Sequence, residues 1–517
     1  MGLLSHVREI YHAYSPTERR NIAIYIIGIM FYKLGLEAFN GSIVTLATDR
    51  FGSGSTYKKL GILQGLNQAF QCVGSILIAP LIKRFPTRSV LAAAVMFFGL
   101  LAAVLLVVDA STGGRMKKSG ENKAHYGDWN PNALFPVYCA SGIAYGMVEL
   151  IRRVIPRDIV GGNVNKLRRM DATVHIFYEV AGTGGAFATT YLVLRLGNNY
   201  SFIVTPIFFT CACIVWSFIS VLEFKVDIEH EKSNYFMQVW HGAKYFGESV
   251  YRGAVIIFSE RKFMWLPLGY SVALYGHRYL ESGIAPLVAK QVFKVSAYSQ
   301  ILVGGSNFGE LLGALGVFFL NDFVPTPIPW LRADSLLLLI VWAVPHYYPP
   351  ANNVNYAWTL AAVFMPISFG WAAGDVSLAA YIQACLARRE SESRNVSALG
   401  AVMAFLYSTY IILFAILSST LGRYIDSTIK SSGDAHVALF NIGGVQFTVL
   451  AAILFLATLI PRGALRLNPD LLDDESLDGE IPQGKSLEEV AEEHKLDMVG
   501  SREMEGGMPA EAVVRGG

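Results

Sequence analysis

The residues best placed to do chemistry in this sequence are ionisable side chains embedded in long apolar runs. Lys33 and Glu37 stand four residues apart, and Arg278 and Glu281 three apart, so each pair shares one helix face. Asp171, His175 and Glu179 recur every four residues and make one polar stripe. His277, Glu310 and Asp375 stand in other apolar runs, and Asn40, Gln64, Asn67 and Asn307 add amides. A charge deep in hydrocarbon costs at least about 2.5–3.5 kcal/mol, so such groups face either a partner or a water-filled cavity. Two readings follow for the Lys33–Glu37 and Arg278–Glu281 pairs. They are internal ion pairs that lower the cost of insertion, or they face each other across a cavity and hold a solute or a proton. Glu179 lies deeper than Asp171 and is the better candidate to carry a proton. Asp375, after the close-packing stretch Gly-Trp-Ala-Ala-Gly, is the strongest single candidate acid. Glu149 precedes Arg152 and Arg153 by three and four positions, which suits a structural salt bridge.

The elements that must position these groups are membrane spans. Hydrophobic residues make up 53% of the 517 and charged residues only 16%, well below the soluble norm of about 25%. A bilayer-crossing helix needs roughly 20 apolar residues. That criterion predicts twelve spans, near 22–46, 60–82, 89–109, 134–156, 171–195, 202–223, 264–289, 298–320, 334–348, 356–386, 397–421 and 439–461. The net charge of +2 gives no reason to expect a nucleic-acid partner. The five cysteines all lie in apolar runs and suggest neither disulfides nor a metal site. Lys and Arg concentrate in alternate short connections (Arg19 and Arg20; Lys83, Arg84 and Arg88; Arg157, Lys166, Arg168 and Arg169; Arg388, Arg389 and Arg394), which places both termini in the cytoplasm. The segment 111–133 is a basic exception on the outer side. The expected organisation is a cytoplasmic N-terminus (1–21), a six-helix half (22–223), a linker with an amphipathic helix (224–262), a second half (263–461) and a disordered acidic tail (462–517).

Two further patterns bear on architecture. Ala47, Phe51, Tyr57, Asn67 and Gly74 are echoed by Ala289, Phe293, Tyr298, Asn307 and Gly313, an offset of about half the membrane domain. The interiors of spans three, six, nine and twelve carry no charged residue, whereas most of the others do. Every third helix is therefore expected to meet lipid while the rest enclose something polar.

With these features the chain resembles the major facilitator superfamily, most closely its efflux-type, fungal-type members. The stretch GSILIAPLIKRFPTRSVL is similar to that family's gating loop between helices two and three; Gly74, Arg84 and Arg88 fit, while Lys83 and Pro86 replace an aspartate and a glycine. The segment RRVIPRDIVGGNVNKLRRMDA resembles its helix 4–5 connection, and Gly182, Gly184 and Gly185 resemble its antiporter glycines. The resemblance implies an all-α membrane protein of twelve transmembrane helices in two pseudo-symmetric six-helix halves. It would be a monomeric secondary transporter of a small polar or charged solute, with protons as the candidate coupling ion. The lipid bilayer is its surroundings, in the plasma membrane or an endomembrane such as the vacuole. No phosphate-cradling loop, metal cluster or nucleophile elbow is present, so no cofactor, metal or catalytic residue is expected. Two other classes stand beside this one: a transporter-shaped receptor that binds without moving solute, and, less favoured, an intramembrane enzyme.

Overall fold

Hydrocarbon offers the backbone no hydrogen-bond partner, so a chain this apolar must satisfy its amides internally, and helices do so within one segment. The computed structural model describes residues 14–466, except 53, 119, 120, 122, 123, 161–163, 221–234, 321, 322, 325, 388–397 and 462. The described residues are helical throughout, apart from connections and one isolated bridge between Arg115 and His125. The first six helices are α1 (Pro16–Arg50), α2 (Thr56–Arg84), α3 (Thr87–Ser111), α4 (Leu134–Val160), α5 (Val164–Leu196) and α6 (Val204–Ser217). Next comes α7 (Tyr235–Ser259). Residues 267–292 form α8, in which α-turns alternate with three π-turns, Pro267–Val272, Leu280–Ile284 and Val288–Val292. Then follow α9 (Ser299–Leu320), α10 (Pro327–Leu337, tightening to 3₁₀ through Ala343), α11 (Val354–Ala387), α12 (Ala398–Ser432) and α13 (residues 435–457).

Eight of these helices are long and apolar enough to cross a bilayer. The chain is an integral multi-pass membrane protein. Helices α5 and α8 are not among the eight, and both carry the ionisable residues singled out above. The start of α1 shows why sequence fixes its entry: Ser15 caps the helix, Glu18 returns the bond to the Ser15 amide, and Pro16 needs no hydrogen-bond acceptor there. The ninth expected span needs correction. Helix α10 begins at Pro327, seven residues before the expected start at 334, so it takes in Arg332 and sets Asp334 inside the helix rather than at its edge. Pro327 and Pro329 stand in the first turn of the helix, where proline is tolerated. The uncharged every-third-helix pattern therefore does not hold for α10, because Asp334 is wholly buried within it. Asp109, at the end of α3, is likewise buried and accepts bonds from Gly127, Trp129 and Asn199.

Small residues let helices approach closely, as membrane packing requires. On α1, a methyl at Gly28 would fall 2.3 Å from the Trp216 ring of α6 and one at Gly35 2.7 Å from Phe209. Stacking of Tyr25 on Trp216 and of Tyr32 on Phe209 fills that seam. The matched stretches occupy matching places. Phe51 follows α1 as Phe293 follows the last π-turn of α8. Gly74 of α2 abuts the Ile143 carbonyl of α4, and Gly313 of α9 abuts the Phe369 carbonyl of α11. Outward-facing apolar side chains crowd α3 (Phe97, Leu100, Val107), α6 (Ile207, Ile214) and α13 (Val449, Leu456).

The basic segment 111–133 is partly neutralised within itself. Arg115 grips Glu121 with bonds of 2.7 and 3.1 Å, which holds that carboxyl down to about 2, and Lys117 donates to the Leu194 carbonyl. Helix α7 lies against α2 and α12: Tyr235 donates to the Leu77 carbonyl, and Phe258 meets Phe405 edge-on. Several expected features fall outside the described residues: Arg388, Arg389 and Arg394, the start of the linker, the acidic tail except 463–466, and the side chains of Lys83, Arg157, Arg168, Arg169 and Asp171.

Candidate functional site

A cavity of about 620 Å³ opens among α1, α2, α4, α5, α8, α9 and α12. That volume suits a small organic molecule, for which pockets run about 300–1,000 Å³. Helices α6, α10, α11 and α13 contribute nothing to its wall, and α3 contributes only Phe98. Ten of the sequence candidates line it: Lys33, Glu37 and Asn40 from α1, Gln64 and Asn67 from α2, Glu179 from α5, Arg278 and Glu281 from α8, and Asn307 and Glu310 from α9.

Each ion pair forms as its spacing requires. Lys33 Nζ lies 2.6 Å from Glu37 Oε1, with both side chains nearly buried. The ammonium also sits 4.4 Å above the Tyr178 ring, whose other contact is the Arg152 guanidinium at 4.3 Å. Arg152 in turn pairs with Glu149 at 2.6 Å, the structural bridge its spacing suggested. Arg278 Nη1 lies 3.0 Å from Glu281 Oε2, but here 46% of the arginine side chain is accessible. Ser306 steadies the other Glu281 oxygen with a 2.7 Å bond. The glycines of α5 make room for α1: a methyl at Gly182 would fall 2.5 Å from Lys33 Cε, and one at Gly185 3.0 Å from Glu37 Cβ. Gly184 faces open space. The amides are also engaged, Gln64 donating to the Ser282 carbonyl at 3.1 Å and Asn67 to the Tyr138 carbonyl at 2.8 Å.

Three candidates lie off the cavity. His277 is on the face of α8 turned away from it, with Nε2 3.0 Å from Asp334 Oδ1 of α10 and its ring stacked on Trp371. Asp375 belongs to α11, which packs behind α9 and lines no part of the cavity. The Gly-Trp-Ala-Ala-Gly stretch instead seats α11 on α10, Gly370 against Asp334 and Gly374 against Leu331. His175, one turn before Glu179, also misses the wall. Of the expected gating-loop residues, Gly74 packs inside α2, Arg84 is exposed at its end, and Arg88 donates to the Ile219 carbonyl after α6.

Sequence reasoning missed two acids that tie helix ends together. Asp49 binds Lys290 and Ser296, and Asp426 of α12 accepts from the amides of Tyr57 and Lys58 at 3.1 and 2.9 Å, capping α2. These residues sit at the margins of apolar runs, where charge is cheap and attracts no notice. At the opposite end the wall includes Phe246 of α7 and Met403 of α12.

A helical membrane protein with a charged cavity among its helices fits the transporter class. Residues 25–405 match the Major Facilitator Superfamily, and the chain belongs to that family. No curated protein matches the chain at a significant level. Among solved structures, it is similar to a D-xylose–proton symporter (11% identity, TM-score 0.60, covering 88% of this chain and 98% of that one). It is also similar to the nucleoside transporter NupG (11%, 0.54, 86% and 99%). A third likeness is to a bacterial homologue of the human drug peptide transporters PepT1 and PepT2 (13%, 0.56, 86% and 98%). At these identities the likeness is one of fold.

Proposed function

We propose that the chain is a secondary active transporter that moves a small polar or charged solute by alternating access. It does so as two pseudo-symmetric halves of six membrane-crossing helices, residues 22–223 and 263–461, joined by the linker that carries α7. The observation that carries this reading is the cavity of about 620 Å³ with an ion pair on each side, Lys33–Glu37 from α1 and Arg278–Glu281 from α8. The equivalent settings of Gly74 and Gly313 support the two-half plan. Lys and Arg distribution supports a cytoplasmic α7 and cytoplasmic termini. The contacts of Asp49 and Asp426 then close the outer end, and the cavity opens inward. Arg278 and Glu281 are the contacts offered to the solute, and a proton is the candidate driving ion. Family membership and transporter neighbours favour flux over a receptor that only binds.

The test is reconstitution of the purified chain in vesicles, with a solute panel and an imposed proton gradient. The expected result is uptake that Glu281→Gln abolishes while the protein still inserts. Binding without flux of any solute would establish the receptor reading instead.

A further inference from the structure

Charge balance within the cavity leaves two carboxylates over. Glu37, Glu281 and Glu149 are each matched by a cation, Lys33, Arg278 and Arg152 respectively. Glu179 and Glu310 line the same cavity, and neither forms an ion pair with any described residue. Their positions are linked by the packing of α5 against α9. The two helices run antiparallel in steady register: Thr190 meets Ala297, Phe187 meets Gly304, and Gly182 meets Asn307. Carried one turn further, that register sets Glu179 opposite Glu310, and the two lie within electrostatic range of each other.

Polar atoms left open point to a ligand. Glu179 exposes only 3% of its surface, yet its Oε2 has no hydrogen-bond partner among the described residues. Asn307, one turn from Glu310 and 5% exposed, leaves Nδ2 unpartnered, and the buried Tyr410 hydroxyl on the same wall is also open. A buried ionised group without a partner costs several kcal/mol, so such atoms are retained where something else satisfies them. Two adjacent carboxylates call for a cation, and the aromatic wall made by Tyr407 and Tyr410 also favours one.

We infer that Glu179 and Glu310 form a recognition site for the ammonium group of an organic amine, with Asn307 donating to the amine's neighbouring polar atom. The inference rests on the transport reading and narrows its substrate to cations. Because the pair bridges α5 and α9, one ligand ties the two proposed halves together.

The experiment measures binding rather than flux, so it is independent of whether transport occurs. Full-length protein in lipid nanodiscs is titrated with 2-phenylethylamine, spermidine and choline, and with 2-phenylethanol and phenylacetate as neutral and anionic counterparts. At least one amine is expected to bind with saturation, with the neutral and anionic counterparts at least about ten-fold weaker. A hydrogen bond to a charged group carries about 1.5–3 kcal/mol, so Glu179→Gln and Glu310→Gln should each weaken that binding roughly ten- to hundred-fold. Glu179→Asp, keeping the charge, should recover part of the affinity, which a merely structural role would not give. Equal binding of the neutral or anionic counterparts, survival of amine binding in both glutamine variants, or no amine binding at about 10 mM, ten-fold above the usual range of KM values, would each overturn the inference. The last result would leave the pair as a proton site. Amine binding without flux would instead overturn the transport reading and leave this site standing.

Discussion

The two ion pairs on the cavity wall differ in how they are held. On α1, an uninterrupted helix of 35 residues, Lys33 and Glu37 are nearly buried and the lysine is clamped against Tyr178. On α8, Glu281 lies within the π-turn Leu280–Ile284, and almost half of Arg278 remains accessible. Single π-turns inserted in α-helices are often found at functional sites, because the widened turn leaves backbone able to shift. The contrast teaches that similar charge spacing can serve two ends. Both pairs line the cavity, but the α1 pair is shut upon itself and Tyr178, while the α8 pair leaves its guanidinium accessible.

The largest expected effect is on α8. Arg278→Ala should reduce solute uptake in vesicles to background, with insertion and melting temperature close to those of the parent chain. If Lys33 and Glu37 can be removed together with the same total loss, the distinction between the pairs fails. Next in size is stability on α1. Lys33→Ala strands Glu37 in a buried position and should cost about 3–5 kcal/mol, read as a fall in melting temperature. The double change Lys33→Met with Glu37→Gln should restore most of that stability and keep uptake within a few-fold. A smaller effect is expected behind α8, where Asp334→Asn weakens the contact to His277. The expected cost is about 1–3 kcal/mol of stability, with uptake per inserted molecule unchanged. A large uptake loss there would move the working site away from the cavity. The smallest effect concerns the α5 glycines: Gly184→Ala faces open space and should be silent, whereas Gly182→Ala presses on Lys33 and should lower activity.

Much of this arrangement was legible in the sequence because hydrocarbon penalises isolated charge. That rule located Lys33, Glu37, Glu179, Arg278, Glu281 and Glu310, and all six line the cavity. The rule does not say which way a charged residue points around its helix. His277 and Arg278 are adjacent, yet one faces Asp334 and the other the cavity. Asp375 lies behind the wall for the same reason, since a half-buried acid there and one upon the wall look alike in sequence. Asp334 stood at the edge of the expected ninth span and so did not count in its interior, whereas α10 starts at Pro327 and encloses it. The contacts of Asp49 and Asp426 span some 240 and 370 positions of chain, which local spacing cannot reveal.

In the proposed inward-open state the cavity is watered from the α7 end and closed at the other. Cys72 lines it, and Cys139, Cys211, Cys213 and Cys385 can be replaced to leave Cys72 as the sole thiol. An impermeant thiol reagent should then label Cys72 rapidly from the cytoplasmic face of oriented vesicles and slowly from the outer face. Labelling from the outer face alone, or from neither, would contradict the account.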